Sequence, residues 1–200
     1  MSKPLNLVLF MGSARPGRLC QRVTTFVAKT LEDRGHTVQV IDPVEANLPV
    51  LETPHFFYPT DSVPEPLKTM GEKIRAAEGY VVVSPEYNHA LPPALTNTMS
   101  HFGGSAYAYK PSAIVTYSPG QWGGMRAAMS LRPFLSELGC LPVSAILAFP
   151  HASQLFAEDG TCNSAEDTEK WTKYAHKSWG QLEWVGHAFK NHKANVGIPS

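Results

Sequence analysis

The chain has 200 residues, of which 43% are hydrophobic and 17% charged, and its 17 basic and 17 acidic residues give a formal net charge of zero. This length and composition are typical of one globular domain with a substantial core, so residues 1–200 are predicted to form a single domain. Because a neutral chain lacks the general positive field that attracts phosphate backbones, no nucleic-acid partner is expected.

The cellular location is indicated by two features of the sequence. The N-terminus lacks the features of a signal peptide, and no apolar run is long enough to span a bilayer. The cysteines are odd in number and widely spaced, which is typical of free thiols in a reducing compartment: Cys20, Cys140 and Cys162. We therefore expect a cytoplasmic protein without a membrane partner.

The first part of the chain predicts a strand, a helix and a second strand. Residues 5–11 are almost wholly apolar, as in a parallel strand covered on both faces. A helical apolar stripe begins at Leu19 and ends at Gly35. Residues 36–41 alternate in polarity, which predicts a second strand nearer the edge of the sheet.

Residues 43–66 form a long segment with six prolines and the aromatic cluster 55–58. A loop of this length within a compact domain usually has a function. Two interpretations remain open: a loop at a substrate site or subunit interface, or plain surface packing.

The rest of the chain continues the alternation of helices and strands. Helices are predicted at 65–77, 93–102, 125–138 and 165–191, and strands at 79–84, 111–117 and 141–148, with loops at 103–109 and 149–164. Five strands alternating with five helices predict an α/β fold, in which helices cover both faces of a parallel sheet. Ligands of such sheets bind beyond the carboxyl ends of the strands.

The loop after the first strand, Gly12-Ser13-Ala14-Arg15-Pro16-Gly17-Arg18, has the composition of a phosphate site. It precedes a helix start, and guanidinium donors match phosphate oxygens. It contains neither G-x-G-x-x-G nor Gly-Lys-Ser/Thr, which argues against a dinucleotide fingerprint and against a nucleoside triphosphate. Ser13 and Arg15 are the expected contacts and Arg18 a third; the alternative is a tight turn with surface arginines.

The loops after the third and fourth strands have the composition of a flat binding surface. One carries Tyr87 and Asn88 between prolines, and the other carries Ser118, three glycines and Trp122. Glycine-lined walls with aromatics suit a planar heterocycle. Neither loop offers a nucleophile with a base beside it, and the sequence has no G-x-S-x-G elbow and no metal-ligand spacing of histidines, so neither a catalytic side chain nor a metal is predicted. The pattern favours a cofactor that carries out its own chemistry.

Three blocks of the sequence, found in the correct order between residues 5 and 147, resemble the NADPH-dependent FMN reductases of the flavodoxin-like superfamily, which include quinone, azo-dye and chromate reductases. They are the loop at 12–18, the Ser-Pro-Glu-Tyr-Asn-His stretch at 84–89, and residues 116–132. The resemblance implies a flavodoxin-like three-layer α/β/α sandwich with a five-stranded parallel sheet of order 2-1-3-4-5. It also implies non-covalently bound FMN, NADPH or NADH as co-substrate, and a homodimer or homotetramer.

The family's activity and site residues carry over onto matching positions. A nicotinamide coenzyme would deliver hydride to flavin N5 and leave, and a small acceptor such as a quinone would take its place in a ping-pong order. The phosphate would be held by Ser13, Arg15 and Arg18, although many members have serine in place of Arg18. The ring would be bordered by Pro85, Glu86, Tyr87 and Asn88, and on its other side by Tyr117, Ser118, Gly120, Gly123 and Gly124.

Two other functions are compatible with a flavin-binding chain. The first is a flavodoxin-type electron carrier. Such carriers tend to be strongly acidic so that protein partners dock electrostatically, and the zero net charge of this chain argues against that function. The second is a flavin-binding regulatory module that responds to redox state.

The last helix carries two tryptophans that are relevant to possible partners. Trp179 and Trp184 lie off its predicted core stripe, which consists of Trp171, Tyr174, Leu182, Val185 and Phe189. This tryptophan pair predicts an interface, a lid over a neighbour's flavin, or edge packing.

Overall fold

The computed structural model describes residues 3–199 and contains one parallel sheet. Its strand order, β2-β1-β3-β4-β5, confirms the order that the family resemblance implies and the edge position of the second strand. The strands are β1 (Asn6–Met11), β2 (Thr37–Ile41), β3 (Gly79–Pro85), β4 (Lys110–Tyr117) and β5 (Cys140–Phe149). Every residue of central β3 is buried, whereas in edge strand β2 only Ile41 is buried and the other four residues are exposed or half-buried.

Helices cover both faces of the sheet, which confirms the three-layer sandwich. The helices are α1 (Cys20–Glu32), α2 (Pro43–Ala46), α3 (Glu65–Ala76), α4 (Pro93–Ser100), α5 (Gly104–Tyr107), α6 (Met125–Glu137), α7 (Ala152–Leu155) and α8 (Ala165–Val196). One core cluster lies between the sheet and α1, α7 and α8, and the other between the sheet and α3 to α6. No helix within residues 3–199 is long and apolar enough to cross a membrane.

The segments predicted as loops contain short helices. The long proline-rich segment holds α2 and a 3₁₀ turn at His55–Phe57, and it is fastened to the α4 region. There the Leu51 amide donates to Asn97 Oδ1 over 2.8 Å, and the His55 amide donates to the His101 carbonyl over 2.7 Å. The predicted loops at 103–109 and 149–164 contain α5 and α7, because four-residue helices carry too little hydrophobic periodicity to be recognised.

The predicted core face of α8 is partly wrong. Trp179 is fully buried and its Nε1 donates to Thr30 Oγ1 over 3.0 Å, while Tyr174 is 56% exposed. Trp184, at 75% exposed, is on the surface as predicted. The error arose because the true buried stripe of α8 is made partly of small residues such as Ala175 and Gly186, which give no hydrophobic signal.

Helix α8 is anchored to the sheet by the buried carboxylate of Glu183. Arg34 donates to it through Nε and Nη2 over 2.6 and 2.8 Å, and His36 Nε2 lies 2.9 Å away. His36 Nδ1 accepts from the Leu5 amide over 3.1 Å, so the proton of a neutral ring is on Nε2 and points at the carboxylate. This network ties α8 to β1 and to the turn before β2.

Candidate functional site

Three loops meet at the carboxyl ends of the adjacent strands β1, β3 and β4. We call residues 12–19 the first loop, residues 86–92 the second loop and residues 118–124 the third loop. The sheet order places the second loop between the other two, as expected for a ligand crevice at a switch point in strand order.

The first loop begins with a close approach between two backbones at Gly12. The Gly12 amide donates to the Val83 carbonyl over 2.8 Å, which extends the β1–β3 ladder by one residue. A Cβ on Gly12 would lie 2.8 Å from the Val83 oxygen, 3.0 Å from Ser84 Cα and 3.1 Å from Pro85 Cδ. Only glycine therefore lets the start of the first loop lie against the end of β3 without displacement.

The first and second loops are joined through Ser13, Arg15 and Tyr87. Ser13 is 1% exposed, and its Oγ is 2.7 Å from the Tyr87 hydroxyl. The Arg15 guanidinium carbon lies 3.8 Å from the centroid of the Tyr87 ring, a stacked cation–π contact. Three of the predicted site residues thus lie in one cluster, although Ser13 and Tyr87 are 74 positions apart in the chain.

Arg18 is held by groups on two elements. Its Nη1 donates to the Ser13 carbonyl over 2.9 Å, and its Nη2 forms an ion pair with Asp42, which directly follows β2. Both side chains are only 12% exposed. The sequence analysis did not identify Asp42, although a carboxylate between a strand end and the Pro43 that starts α2 is a recognisable helix cap.

The surroundings of the first loop favour an anion. Helix α1 begins directly after the loop, and its N-cap residue, Leu19, has no side chain that bonds to the first-turn amides. A cavity of about 520 Å³ borders the loop and is lined by Arg15, Arg18, Arg22 and Glu158. The start of α1 and the guanidinium group of Arg15 give this region positive charge, whereas Arg18 is paired with Asp42 and Arg22 with Glu158.

The second loop is a tight turn that presents backbone to solvent. Tyr87 and Ala90 exchange two backbone hydrogen bonds of 3.1 and 2.9 Å, and Asn88 and His89 between them have φ angles of 51° and 62°. Two successive left-handed residues define the type I′ geometry of a two-residue turn. Asn88 and His89 are both exposed, while Pro85 is buried at the base of the turn.

Glu86 joins the second loop to the start of α6. Its Oε2 accepts from the Arg126 amide over 3.0 Å and its Oε1 from Arg126 Nη1 over 3.2 Å. The carboxylate side chain is only 11% exposed and caps a helix whose N-cap residue, Gly124, has no side chain. Glu86 therefore holds the second loop against the start of α6, and Arg126 occupies both of its oxygens.

The third loop is fastened to the segment that follows β5. The Ser118 amide donates to Phe149, and the His151 amide donates to Gly120, over 3.1 and 3.0 Å. Gly123 and Gly124 have φ angles of 59° and 79°. A Cβ on Gly124 would be 3.0 Å from the Tyr117 oxygen, so both conformation and space require glycine there. Trp122, 62% exposed, lies at the rim with Arg126 Cζ 5.9 Å from its ring centroid.

Two groups beneath the first loop are buried and protonated. The Cys20 side chain is fully buried and its Sγ lies 3.7 Å from the Val83 oxygen. Tyr117 is 3% exposed and belongs to the core cluster on the α1 face. Burial raises the pKa of both groups, which keeps the thiol and the phenol neutral at ordinary pH.

The fold is that of a flavodoxin-like α/β protein, and its three loops meet at the carboxyl end of the parallel sheet. The sequence model of the NADPH-dependent FMN reductase family matches residues 5–154. The chain is 31% identical over 146 residues to a quinone reductase of Escherichia coli, covering 70% of this chain and 74% of the relative. It therefore belongs to the NADPH-dependent FMN reductase family and is an enzyme of that type, as the sequence resemblance predicted.

Further relatives agree in family and in fold. An NAD(P)H-dependent FMN reductase of Schizosaccharomyces pombe is 30% identical over 129 residues, or 63% of each protein. The fold is similar to FerB, a flavoenzyme NAD(P)H:acceptor oxidoreductase of Paracoccus denitrificans, with a TM-score of 0.73, 19% identity, and coverage of 90% of this chain and 98% of FerB. It is also similar to an archaeal flavodoxin, with a TM-score of 0.52, 12% identity, and coverage of 90% and 97%.

Proposed function

We propose that this enzyme binds FMN non-covalently and uses NADPH or NADH to reduce a small acceptor such as a quinone. The observation that carries the proposal is the cluster of Ser13, Arg15 and Tyr87, which joins an anion-binding loop to a flat-walled loop at the ends of adjacent strands. A flavin mononucleotide has the same two parts, a phosphate and a planar ring. Relatives named quinone reductase support the choice of acceptor.

The first loop fits the phosphate. Ser13 and Arg15 would donate to its oxygens together with the amides at the start of α1. The positive charge of Arg15 is stacked on an aromatic ring and is not paired with a carboxylate in the contacts described above, which leaves its N–H groups able to turn toward an anion. Arg18 is part of the same loop, where it is bonded to the Ser13 carbonyl and to Asp42.

The second and third loops fit the ring. Pro85, Glu86, Tyr87 and Asn88 would border one side, mainly through backbone, because the turn at Asn88 exposes its peptide groups. The other side would be lined by Ser118, Gly120, Gly123, Gly124 and the backbone of Tyr117. A Cβ built on Gly120 would have no atom within 4 Å, so the space beside Gly120 is open to a flat ring.

FMN held by these loops would supply the redox chemistry that the side chains lack, namely hydride transfer from a nicotinamide coenzyme to a small acceptor in a ping-pong order. The chain's own residues would bind the flavin and orient it. Glu86 holds the second loop against α6, and the glycines of the third loop allow close approach of the backbone. No side chain is assigned as a general acid or base, since Cys20 and Tyr117 are buried and keep their protons.

The same proposal includes the assembly and location of the enzyme. Large apolar side chains remain exposed on α6 and α8, among them Met129 at 50% and Trp184 at 75%. Such side chains support a homodimer or homotetramer, which light scattering of the purified protein tests. The free thiols of Cys20, Cys140 and Cys162 support a reducing compartment, and we propose the cytoplasm.

Steady-state kinetics distinguish this proposal from its alternatives. The purified, FMN-loaded protein should oxidise NADPH or NADH when a quinone is present. An electron carrier would bind flavin but turn over only with a reductase partner, and a regulatory module would bind flavin without turnover. Absence of turnover with quinone, azo-dye and metal acceptors alike would refute the enzymatic proposal.

A further inference from the structure

The ion pair between Arg18 and Asp42 connects the first loop to the end of edge strand β2. Its two side chains are 12% exposed, so the charges are largely removed from water and compensate each other. Arg18 uses its second terminal nitrogen on the Ser13 carbonyl, 2.9 Å away. One guanidinium group therefore joins the carboxylate that directly follows β2 to the backbone of the first loop.

Asp42 is held in place independently of Arg18. Its Oδ1 accepts from the Val44 amide over 2.8 Å and caps α2, which starts with Pro43. The Oδ2 oxygen is left to face Arg18. Because the cap fixes the carboxylate, the pair needs little further ordering, and Asp42 serves as a rigid anchor.

Anchoring the Ser13 carbonyl determines the direction of the next amide. The peptide is trans, so its C=O and N–H point in opposite directions. With the carbonyl directed at Arg18, the Ala14 N–H points to the other side of the loop. The same residue's Oγ is fixed at 2.7 Å from Tyr87, so Ser13 is constrained through both its backbone and its side chain.

We infer that Arg18 and Asp42 are positioning residues for the flavin phosphate: their ion pair holds the Ser13 peptide in its binding orientation, and Arg18 acts through Ser13. The inference rests on the proposed binding of FMN and assigns Asp42 a role in it. A direct ligand would need its charge for the phosphate, but the charge of Arg18 is compensated by a carboxylate.

Arg18 could be a direct ligand of the phosphate or a positioning residue. The substitution Asp42→Asn distinguishes the two roles because they predict opposite changes in the affinity for FMN. Asparagine keeps the oxygen that caps α2, since Asn and Asp are equally good N-caps, and removes the charge that binds Arg18. If Arg18 were a phosphate ligand, loss of the nearby negative charge would tighten the binding of FMN, because the guanidinium charge would no longer be compensated. If the ion pair positions the loop, the same loss weakens the binding of FMN.

The experiment is a fluorescence titration of flavin-free protein with FMN and, separately, with riboflavin, which lacks the phosphate. We expect Asp42→Asn and Arg18→Gln each to raise the Kd for FMN about tenfold, an effect typical of positioning groups. The Kd for riboflavin should stay within about twofold, because the ring-binding loops are untouched. The double variant should be no worse than either single one, as expected of partners in one interaction.

Glu45→Gln is the matched control. It removes the same charge from an exposed position of α2, three residues from Asp42, and should leave both affinities unchanged. Circular dichroism of each flavin-free variant checks folding, and Arg18→Lys, which keeps the charge but loses the two-pronged geometry, provides a second loop variant if Arg18→Gln does not fold.

Three results would overturn the inference. Tighter FMN binding by Asp42→Asn would make Arg18 a direct ligand. An equal loss for FMN and riboflavin would make the pair a general structural contact, and unchanged FMN binding in both variants would give it no role. Wild-type protein that binds neither flavin would instead refute the proposed function itself, so the two failures are distinguishable.

Discussion

The close approach at Gly12 gives the most direct mechanical test of how the site is built. In Gly12→Ala the new methyl carbon would meet the Val83 carbonyl oxygen at 2.8 Å, Ser84 Cα at 3.0 Å and Pro85 Cδ at 3.1 Å. Two of these atoms are backbone and the third belongs to a rigid ring, so none can move aside as a flexible side chain would. The variant must separate the first loop from the end of β3.

The magnitude follows from two opposing effects. Overpacking of a filled site costs about 1–3 kcal/mol. Gly12 does not have a positive φ, so alanine also reduces the freedom of the unfolded chain, which stabilises by about 0.4–1 kcal/mol. With both effects at mid-range the free energy of unfolding should fall by about 1.3 kcal/mol, within limits of about 0 and 2.6 kcal/mol, and the displaced first loop should bind FMN more weakly.

Chemical denaturation of the flavin-free protein measures this change, with Gly120→Ala as the control. Gly120 also lacks a positive φ, and a Cβ there would meet nothing within 4 Å, so the control keeps only the stabilising effect. A Gly12→Ala protein as stable as Gly120→Ala, with unchanged FMN affinity, would show that the loops are not fitted together as described.

Three further predictions concern the ligand, the anchor of α8 and the pH dependence of stability. Arg15→Ala should weaken FMN by about 1.5–3 kcal/mol in a fluorescence titration, the range for a hydrogen bond to a charged group; an unchanged Kd would place the phosphate elsewhere. Glu183→Ala should lower the free energy of unfolding by about 3 kcal/mol, because it leaves Arg34 without its buried carboxylate; a loss below about 1 kcal/mol in denaturant would contradict this. Burial, with a neighbouring positive charge second, lowers the pKa of His55, so the unfolded chain binds more protons and stability should fall as pH drops below about 6.5 toward the folded pKa. His55→Gln should reduce this pH dependence in thermal melts, and an identical profile would contradict it.

The strands and long helices could be predicted because their apolar patterns are strong. Residues of β1 and β3 are nearly all apolar and buried on both faces, and the alternation of β2 correctly placed it at an edge. The helices at α3 and α6 have apolar stripes and clear ends. In α8 the same reasoning failed for Trp179, because small residues beside it form the buried face.

That the three loops lie together at one edge of the sheet could be predicted, but the contacts between them could not. Strand order and three unusual loops were enough to bring Ser13, Arg15 and Tyr87 to one edge of the sheet. The Arg18–Asp42 pair depends on the distance between two chain segments, which no local pattern encodes. The burial of Tyr117 was missed for a similar reason, since the last residue of a strand can face either the core or the loops.

The central claim is that this enzyme holds FMN and passes electrons from a nicotinamide coenzyme to a small acceptor. Its most direct test is the visible absorption spectrum of the FMN-reconstituted protein, recorded without oxygen during addition of NADPH or NADH and then of a quinone. The account predicts a bound-flavin spectrum that bleaches with the coenzyme and returns with the quinone. A protein that binds no flavin, or whose flavin spectrum stays unchanged with both coenzymes, would contradict it.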